Sequence, residues 1–195
     1  MQTSLVLSET KMEMAAITRS NIKIAPMAIV CKECDLIGDI SIGARTIIHP
    51  KARIVAEAGP IIIGESNLIE EGVQIINKLP EDGSPTDETP VMVIGNHNVF
   101  EVASYVESLK IGNFNVVEVK ASVGRNTELT SGCIVGAKCC LSTNECLQEN
   151  TVIYGQECRR RVQQEHPFAQ TLQLDFLSKL LPSFHHIRKP TKVAN

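Results

Sequence analysis

Apolar residues return every six positions along most of this chain, a period that fits neither the 3.6-residue turn of a helix nor a heptad. In the C-terminal half Ile111, Val117, Val123, Leu129, Val135, Leu141, Leu147 and Ile153 follow one another without a slip. With 43% of the chain hydrophobic, eight apolar residues in one chosen phase would arise by chance about once in a thousand trials. Upstream the period holds through Ile24, Val30, Leu36, Ile42, Ile48 and Ile54, resumes at Ile63, Ile69 and Ile75, and again at Ile94, Phe100 and Val106. Twenty hexads result.

Six residues suit a short strand plus a corner, and three such units close a triangular coil. Gly follows the anchor at Gly43, Gly64, Gly95, Gly112, Gly124 and Gly136. A small residue stands four positions after many anchors (Ala28, Cys34, Ala52, Ala58, Ala121, Thr127, Cys133), where a tight corner leaves little room. Twenty hexads make nearly seven coils, which at about 4.8 Å each give a prism on the order of 30 Å long. Aromatics are scarce at 4%, so branched aliphatics must fill the interior.

The period breaks in three places: Ala58-Gly59-Pro60 adds three residues, one residue is lost between Val106 and Ile111, and the polar stretch NKLPEDGSPTDETP (77–90) reads as a loop extruded from one coil. Four segments follow. Residues 1–20 read as a mobile leader, 21–158 as the coils, 159–187 as a linker and a helix packed on them, and 188–195 as a tail. Within the third segment TLQLDFLSKLL (171–181) predicts a helix with Thr171 as N-cap and Pro182 as its stop. Leu172, Phe176, Leu177, Leu180 and Leu181 form its apolar face.

Every third hexad stacks on one wall, which sorts the residues flanking the anchors. On one wall the residues just before the anchors are Ile29, Ile47, Leu68, Val99, Val116, Ile134 and Val152, all aliphatic, whereas other walls carry Asp35, Arg53, Gln74, Lys23, Ser41 and Lys110. Side chains alternate across a strand, so this stripe points outward. A stripe that long needs a cover, either the chain's own helix or a binding protein. The end coils, with unpaired backbone, invite pairing as well. A helix of about 16 Å is too short to seal both ends, so one terminal coil is expected to meet a partner.

Charge and chemistry narrow the function. A net charge of −3 carries no basic footprint for nucleic acid, and the run Arg159-Arg160-Arg161 is too local to supply one. No stretch approaches the ~20 apolar residues of a membrane span, and the N-terminus lacks a continuous apolar signal core, which together predict a cytoplasmic chain without direct membrane insertion. Seven cysteines with no framework spacing fit thiols in a reducing compartment. The CxxC of Cys31 and Cys34 lacks a second pair, and Cys34, Cys133 and Cys139 sit at the small corner position, where a thiol packs as an apolar group.

Zinc needs three or four converging ligands, and the repeat offers His49 and His97 on different walls, with His166, His185 and His186 beyond it. One wall stacks Cys31, His49, Glu70, Glu101 and Glu118 just after its anchors. That series admits a nucleophile, base and orienter; the plainer reading is a polar ladder answered by Arg159 to Arg161 or Lys179. No catalytic residue, metal ligand or cofactor is therefore expected.

The segments IHPKARIVAEAGPIIIGESNLIEEGVQIIN (48–77), LTSGCIVGAKC (129–139) and TLQLDFLSKLLPSFHH (171–186) resemble the hexapeptide-repeat family at the pointed end of dynactin, over about residues 22–187. The resemblance implies an all-β solenoid, a left-handed parallel β-helix of hexapeptide repeats with a C-terminal α-helix. It also implies a non-catalytic subunit of the cytoplasm and cytoskeleton, paired with a second hexapeptide-repeat subunit and the pointed-end actin-related protein, and assisting dynein-driven microtubule transport and cargo selection. Hexapeptide acyltransferases and gamma-carbonic-anhydrase-like zinc enzymes share the repeat and stand as the alternative. The tail RKPTKVAN has no Ser-Pro or Thr-Pro, so Ser84-Pro85 and Thr89-Pro90 in the loop are the substitutes for a proline-directed phosphosite.

Overall fold

A computed structural model describes residues 20–79 and 89–191. The chain winds as a left-handed parallel β-helix with three walls and a C-terminal helix. The first wall stacks Asn21–Ile24, Asp39–Ile42, Ile61–Ile63, Met92–Ile94 and Lys110–Ile111. The second runs from Ile29–Val30 to Thr151–Tyr154 through seven parallel strands, and the third from Asp35–Ile37 to Cys140–Leu141 through six. Every pairing inside the walls is parallel and anchor meets anchor, as in Ile48 with Ile69 and Val117 with Val135.

The six-residue spacing explains the interior directly. Anchors from all three walls converge on one axis, where Ile48, Ile54, Ile69, Ile75, Phe100, Val117, Val123, Val135 and Ile153 are fully buried. Corners turn three residues after the anchor, a position in the left-handed region at Met27, Arg45, Lys51, Ser66, His97, Ala103, Phe114, Lys120, Lys138 and Asn150. Most side chains there resist that conformation, so the strain at each corner is met by the hydrogen-bond ladders on either side. At Gly43 on the first wall the residue after the anchor must be Gly for another reason: a Cβ there would collide with the Gly64 carbonyl oxygen one coil up.

The breaks in period have specific repairs. Asn77 is a buried strand residue, and its side-chain amide donates to the carbonyls of Gly59 (2.9 Å) and Pro90 (2.7 Å), tying the three-residue insertion to the base of the loop. The extruded segment thus begins after Asn77; residues 80–88, with Ser84-Pro85, lie outside the described residues. The residue lost after Val106 leaves a short corner where buried Ser108 donates to the Lys110 carbonyl at 3.1 Å. The leader also lies outside the described residues, except for Ser20.

Beyond the coils the structure corrects two expectations. Residues 159–162 are a strand, not linker: Arg159–Val162 pairs antiparallel with Thr151–Tyr154, so the last coil of the second wall is covered by a hairpin. The first coil is covered from the other end of the chain. Arg188 N–H donates to the Val30 carbonyl at 2.8 Å, Lys32 N–H to the His186 carbonyl at 2.7 Å, and Thr191 N–H to the Ile24 carbonyl at 2.9 Å. The ends expected to stay open are therefore partly sealed by the chain itself, because backbone groups at a sheet edge are satisfied by whichever segment reaches them first.

The C-terminal helix spans Thr171–Phe184 and includes Pro182, which the sequence reading placed as a stop. Pro182 is exposed and lies in the last turn, where it removes one backbone donor. Burial of Leu181 and the bond from His185 N–H to the Leu181 carbonyl (2.8 Å) carry the helix past it. Thr171 is the first helical residue and not the cap; Gln170 holds that position with no side-chain capping bond.

Candidate functional site

The second wall gathers nearly everything that sets this chain apart from a bare solenoid. Its outward stripe begins with Ile29, Ile47, Leu68 and Val99. Against these and the fully buried Cys31 pack Leu174, Leu177 and Leu181 of the helix, with Val116, Leu180 and Ile187 partly buried at the margin. Ile134 and Val152 lie farther along the stripe, outside this cluster: Ile134 is half-buried, and Val152 is buried beside Arg161 of the covering strand. At the margin of this contact Arg45 pairs with the helix, its guanidinium 2.8 Å from the Asp175 carboxylate.

Two of the five residues assigned to the apolar face of the helix are misplaced by the sequence reading. Leu172 is 86% exposed and Phe176 62%, while Leu174, which that face did not include, is 3% exposed. The window TLQLDFLSKLL carries large apolar residues around most of its circumference, so helical spacing admits two stripes, 172–176–180 and 174–177–181. The structure buries the second, with the exposed Arg45–Asp175 pair beside Leu174. Leu177→Ala should cost about 2–4 kcal/mol by chemical denaturation, as for other buried leucines, and Leu172→Ala less than about 0.5 kcal/mol. Equal losses at the two sites would contradict the packing.

The polar column on this wall is a hydrogen-bond ladder. The carboxylate of Glu70 accepts from Val102 N–H (3.1 Å), Glu101 from Val119 N–H (3.0 Å) and Glu118 from Ala137 N–H (2.8 Å), each one coil farther on. Backbone amides, not Arg159 to Arg161 or Lys179, answer these glutamates; Arg159 pairs with Glu157 and Arg160 with Glu145. The repeat brings a corner amide to the same place in each coil, closer than any arginine side chain.

A second ladder was missed by the sequence reading. Buried Asn67, Asn98 and Asn115 stack two residues before the anchors. Asn98 accepts on its side-chain oxygen from Asn115 N–H (2.9 Å) and Asn115 Nδ2 (3.1 Å), and donates from Nδ2 to the Asn67 side-chain oxygen (3.0 Å) and the Gly112 carbonyl (2.9 Å). The legible signal was three Asn at one phase of one wall, the phase of Ala28 and Cys133.

The histidines do not converge. His49 sits on the second wall with Nε2 buried and without a hydrogen-bond partner. His97 stacks on Phe114 with centroids 4.8 Å apart, and Phe114 on His166 at 4.4 Å, an aromatic pile on a corner. Among the described residues no group of three His, Cys, Asp or Glu is placed to hold a metal ion. All seven cysteines are free. Burial pushes the Cys31 thiol up to about 11 and raises Cys34 and Cys133 as well, so these are poor nucleophiles at neutral pH.

Burial also holds His49 below its ordinary range, with Glu71 opposing the shift and His185 adding to it. A histidine whose folded pKa lies below its unfolded value contributes stability that is present above the unfolded value, near 6.5, and lost as pH falls below it. Wild-type stability should therefore drop more steeply from pH 7.5 to 5.0 than that of His49→Gln, measured by urea unfolding. Parallel curves would remove His49 as a cause.

No protein-family model matches the chain. It is 59% identical to dynactin subunit 6 of Xenopus tropicalis over 174 residues, 88% of this chain and 87% of the relative, and 59% identical to dynactin subunit 6 of Danio rerio over 177 residues, 89% and 91%. A carbonic anhydrase of Methanosarcina thermophila is 29% identical over 108 residues, 53% of this chain and 42% of that one. Among solved structures, a hexapeptide transferase family protein from Anaplasma phagocytophilum superposes with a TM-score of 0.61 at 15% identity, covering 82% of this chain and 87% of the other, a likeness of fold alone.

Proposed function

The chain belongs to the dynactin subunit 6 family, and from that premise we propose that it is a non-catalytic structural subunit of the dynactin pointed-end complex. In this role it supports dynein-driven microtubule transport and cargo selection in the cytoplasm, on the cytoskeleton. Its partners there are the second hexapeptide-repeat subunit and the pointed-end actin-related protein. The observation that carries the reading is the identity of 59% across nearly the full length of relatives named as subunits of an assembly.

The geometry agrees with a scaffold. On the polar wall Glu70, Glu101 and Glu118 are committed to backbone amides and the Cys31 thiol is raised, so the carboxylate and the nucleophile of a Cys–His–Glu series are poorly suited to acyl transfer. The carbonic anhydrase similarity covers about half of the chain, and among the described residues no histidines converge.

The test is purification of the tagged full chain from cells under mild conditions, with the bound proteins identified and metal measured on the same sample. Co-purification of the second hexapeptide subunit and the actin-related protein in fixed ratio is the expected result. Stoichiometric zinc with hydratase activity would replace this reading by the enzymatic one.

A further inference from the structure

The last coil ends with two thiols set one above the other. Cys139 N–H donates to the Gly136 carbonyl at 2.9 Å, and one coil on Cys158 N–H donates to the Gly155 carbonyl at 3.1 Å, so both residues hold the same place in consecutive corner turns. Stacked residues in adjacent coils lie about 4.8 Å apart, inside the Cα separation of about 4.4–6.8 Å that a disulfide spans. The side chains meet as well. Cys139 Sγ lies 3.4 Å from the Gly155 carbonyl oxygen, the same atom that Cys158 N–H reaches, and Cys158 Sγ lies 3.7 Å from the carbonyl oxygen of Cys140, the residue next to Cys139. Cys139 is buried in the axis, and half-buried Cys158 packs against that cluster. Burial first, and then the Cys158 thiol beside it, push the Cys139 thiol up to about 11.

The pairing is selective. A strict eighteen-residue coil would set Cys158 on Cys140, but the turn carries one residue more, taken up at Gly155 with φ 73°. Cys140 is exposed between buried Cys139 and buried Leu141, so its thiol points away from the axis. The CxxC does not compete, because Cys31 lies in the helix-covered cluster and Cys34 in the axis.

We propose that Cys139 and Cys158 are a reversible disulfide site, closed by small disulfides of the glutathione type, which locks the terminal hairpin onto the last coil. The Cys158 thiolate attacks one sulfur of glutathione disulfide, whose S–S bond breaks, and one glutathione leaves with the proton Cys158 gave up. Cys139 then loses its proton and attacks the Cys158 sulfur, releasing the second glutathione. Two protein thiols are oxidised to one disulfide, and glutathione disulfide is reduced to two thiols. Cys158 directly precedes Arg159–Val162, the strand that covers the edge of Thr151–Tyr154 and is exposed throughout. Closed, the bond ties the root of that strand to the coil below it. Open, the strand is free to fray and bare an edge that can pair with another chain.

The test equilibrates the reduced full-length chain in buffers of glutathione and glutathione disulfide at neutral pH, alkylates the remaining thiols and maps the peptides by mass. The expected result is a linked Cys139–Cys158 peptide two hydrogens lighter than its parts, with amide exchange across residues 159–162 slowed about tenfold and restored by dithiothreitol. Cys158→Ser should abolish both changes, and Cys140→Ser should leave both. Should Cys158→Ser fail to fold, the wild-type map still decides. Linkage of Cys158 to Cys140 or Cys146, a lasting glutathione adduct on Cys158, or no bond even in glutathione disulfide alone overturns the site. A closed bond with unchanged exchange at residues 159–162 overturns the lock.

Discussion

Val135→Asp should abolish folding. Val135 is fully buried and stacks in register between Val117 below and Ile153 above, so a carboxylate there has neither water nor a partner. An unpaired buried charge costs several kcal/mol even after its pKa rises, against a total stability of about 5–15 kcal/mol for a domain. A solenoid adds a further penalty, because each coil is stabilised by its neighbours and a coil lost in the middle uncouples both sides. The variant should be insoluble or lack a cooperative melt by circular dichroism. Ala137→Lys, two residues on, exposed and beside the Glu118 carboxylate, is the control and should melt with the wild type. A soluble Val135→Asp protein with a sharp melt would mean that the anchors do not face the axis.

The axis was legible from the sequence because one physical rule governs it: a side chain that returns every six residues to the same buried line must be apolar, and Ile24 to Ile153 obey that rule. The outward stripe from Ile29 to Val152 was legible for the complementary reason, since aliphatics where Lys, Asp or Gln stand on other walls need an explanation. Contacts made outside the repeat were not legible. Nothing in the spacing of TLQLDFLSKLL distinguishes Leu174 from Leu172; the buried face is the one that packs on Ile47, Leu68 and Val99, contacts far away in sequence. The Asn67–Asn98–Asn115 ladder lay within reach of the same period but was hidden by looking for apolar residues only. Arg159–Val162 was hidden by its charge, because a four-residue strand that is exposed throughout shows no alternation to read.

The sealing of the first coil leads to the second large effect, expected from removing residues 185–195. The truncated chain keeps the coils, and the helix keeps Leu174, Leu177 and Leu181 against the stripe. It loses the acceptor for Lys32 N–H, the donors to the carbonyls of Val30 and Ile24, the Thr191 hydroxyl that accepts from Ile24 N–H at 2.9 Å, and the Arg188 guanidinium that donates to the Cys34 carbonyl at 3.0 Å. At about 1 kcal/mol net for each such bond, roughly 3–5 kcal/mol of stability should go. The loss should be local first. Amide exchange at Ile24 and Lys32 should rise by orders of magnitude while Val117 and Val135 stay protected. The bare edge should also pair with other copies, so the truncated chain should sediment as larger species at concentrations where the full chain does not. Removing residues 192–195 alone leaves Thr191 and its bonds in place and should change neither measurement. If removal of 185–195 leaves the melting temperature and the exchange of Ile24 and Lys32 as they were, the tail does not cap the solenoid.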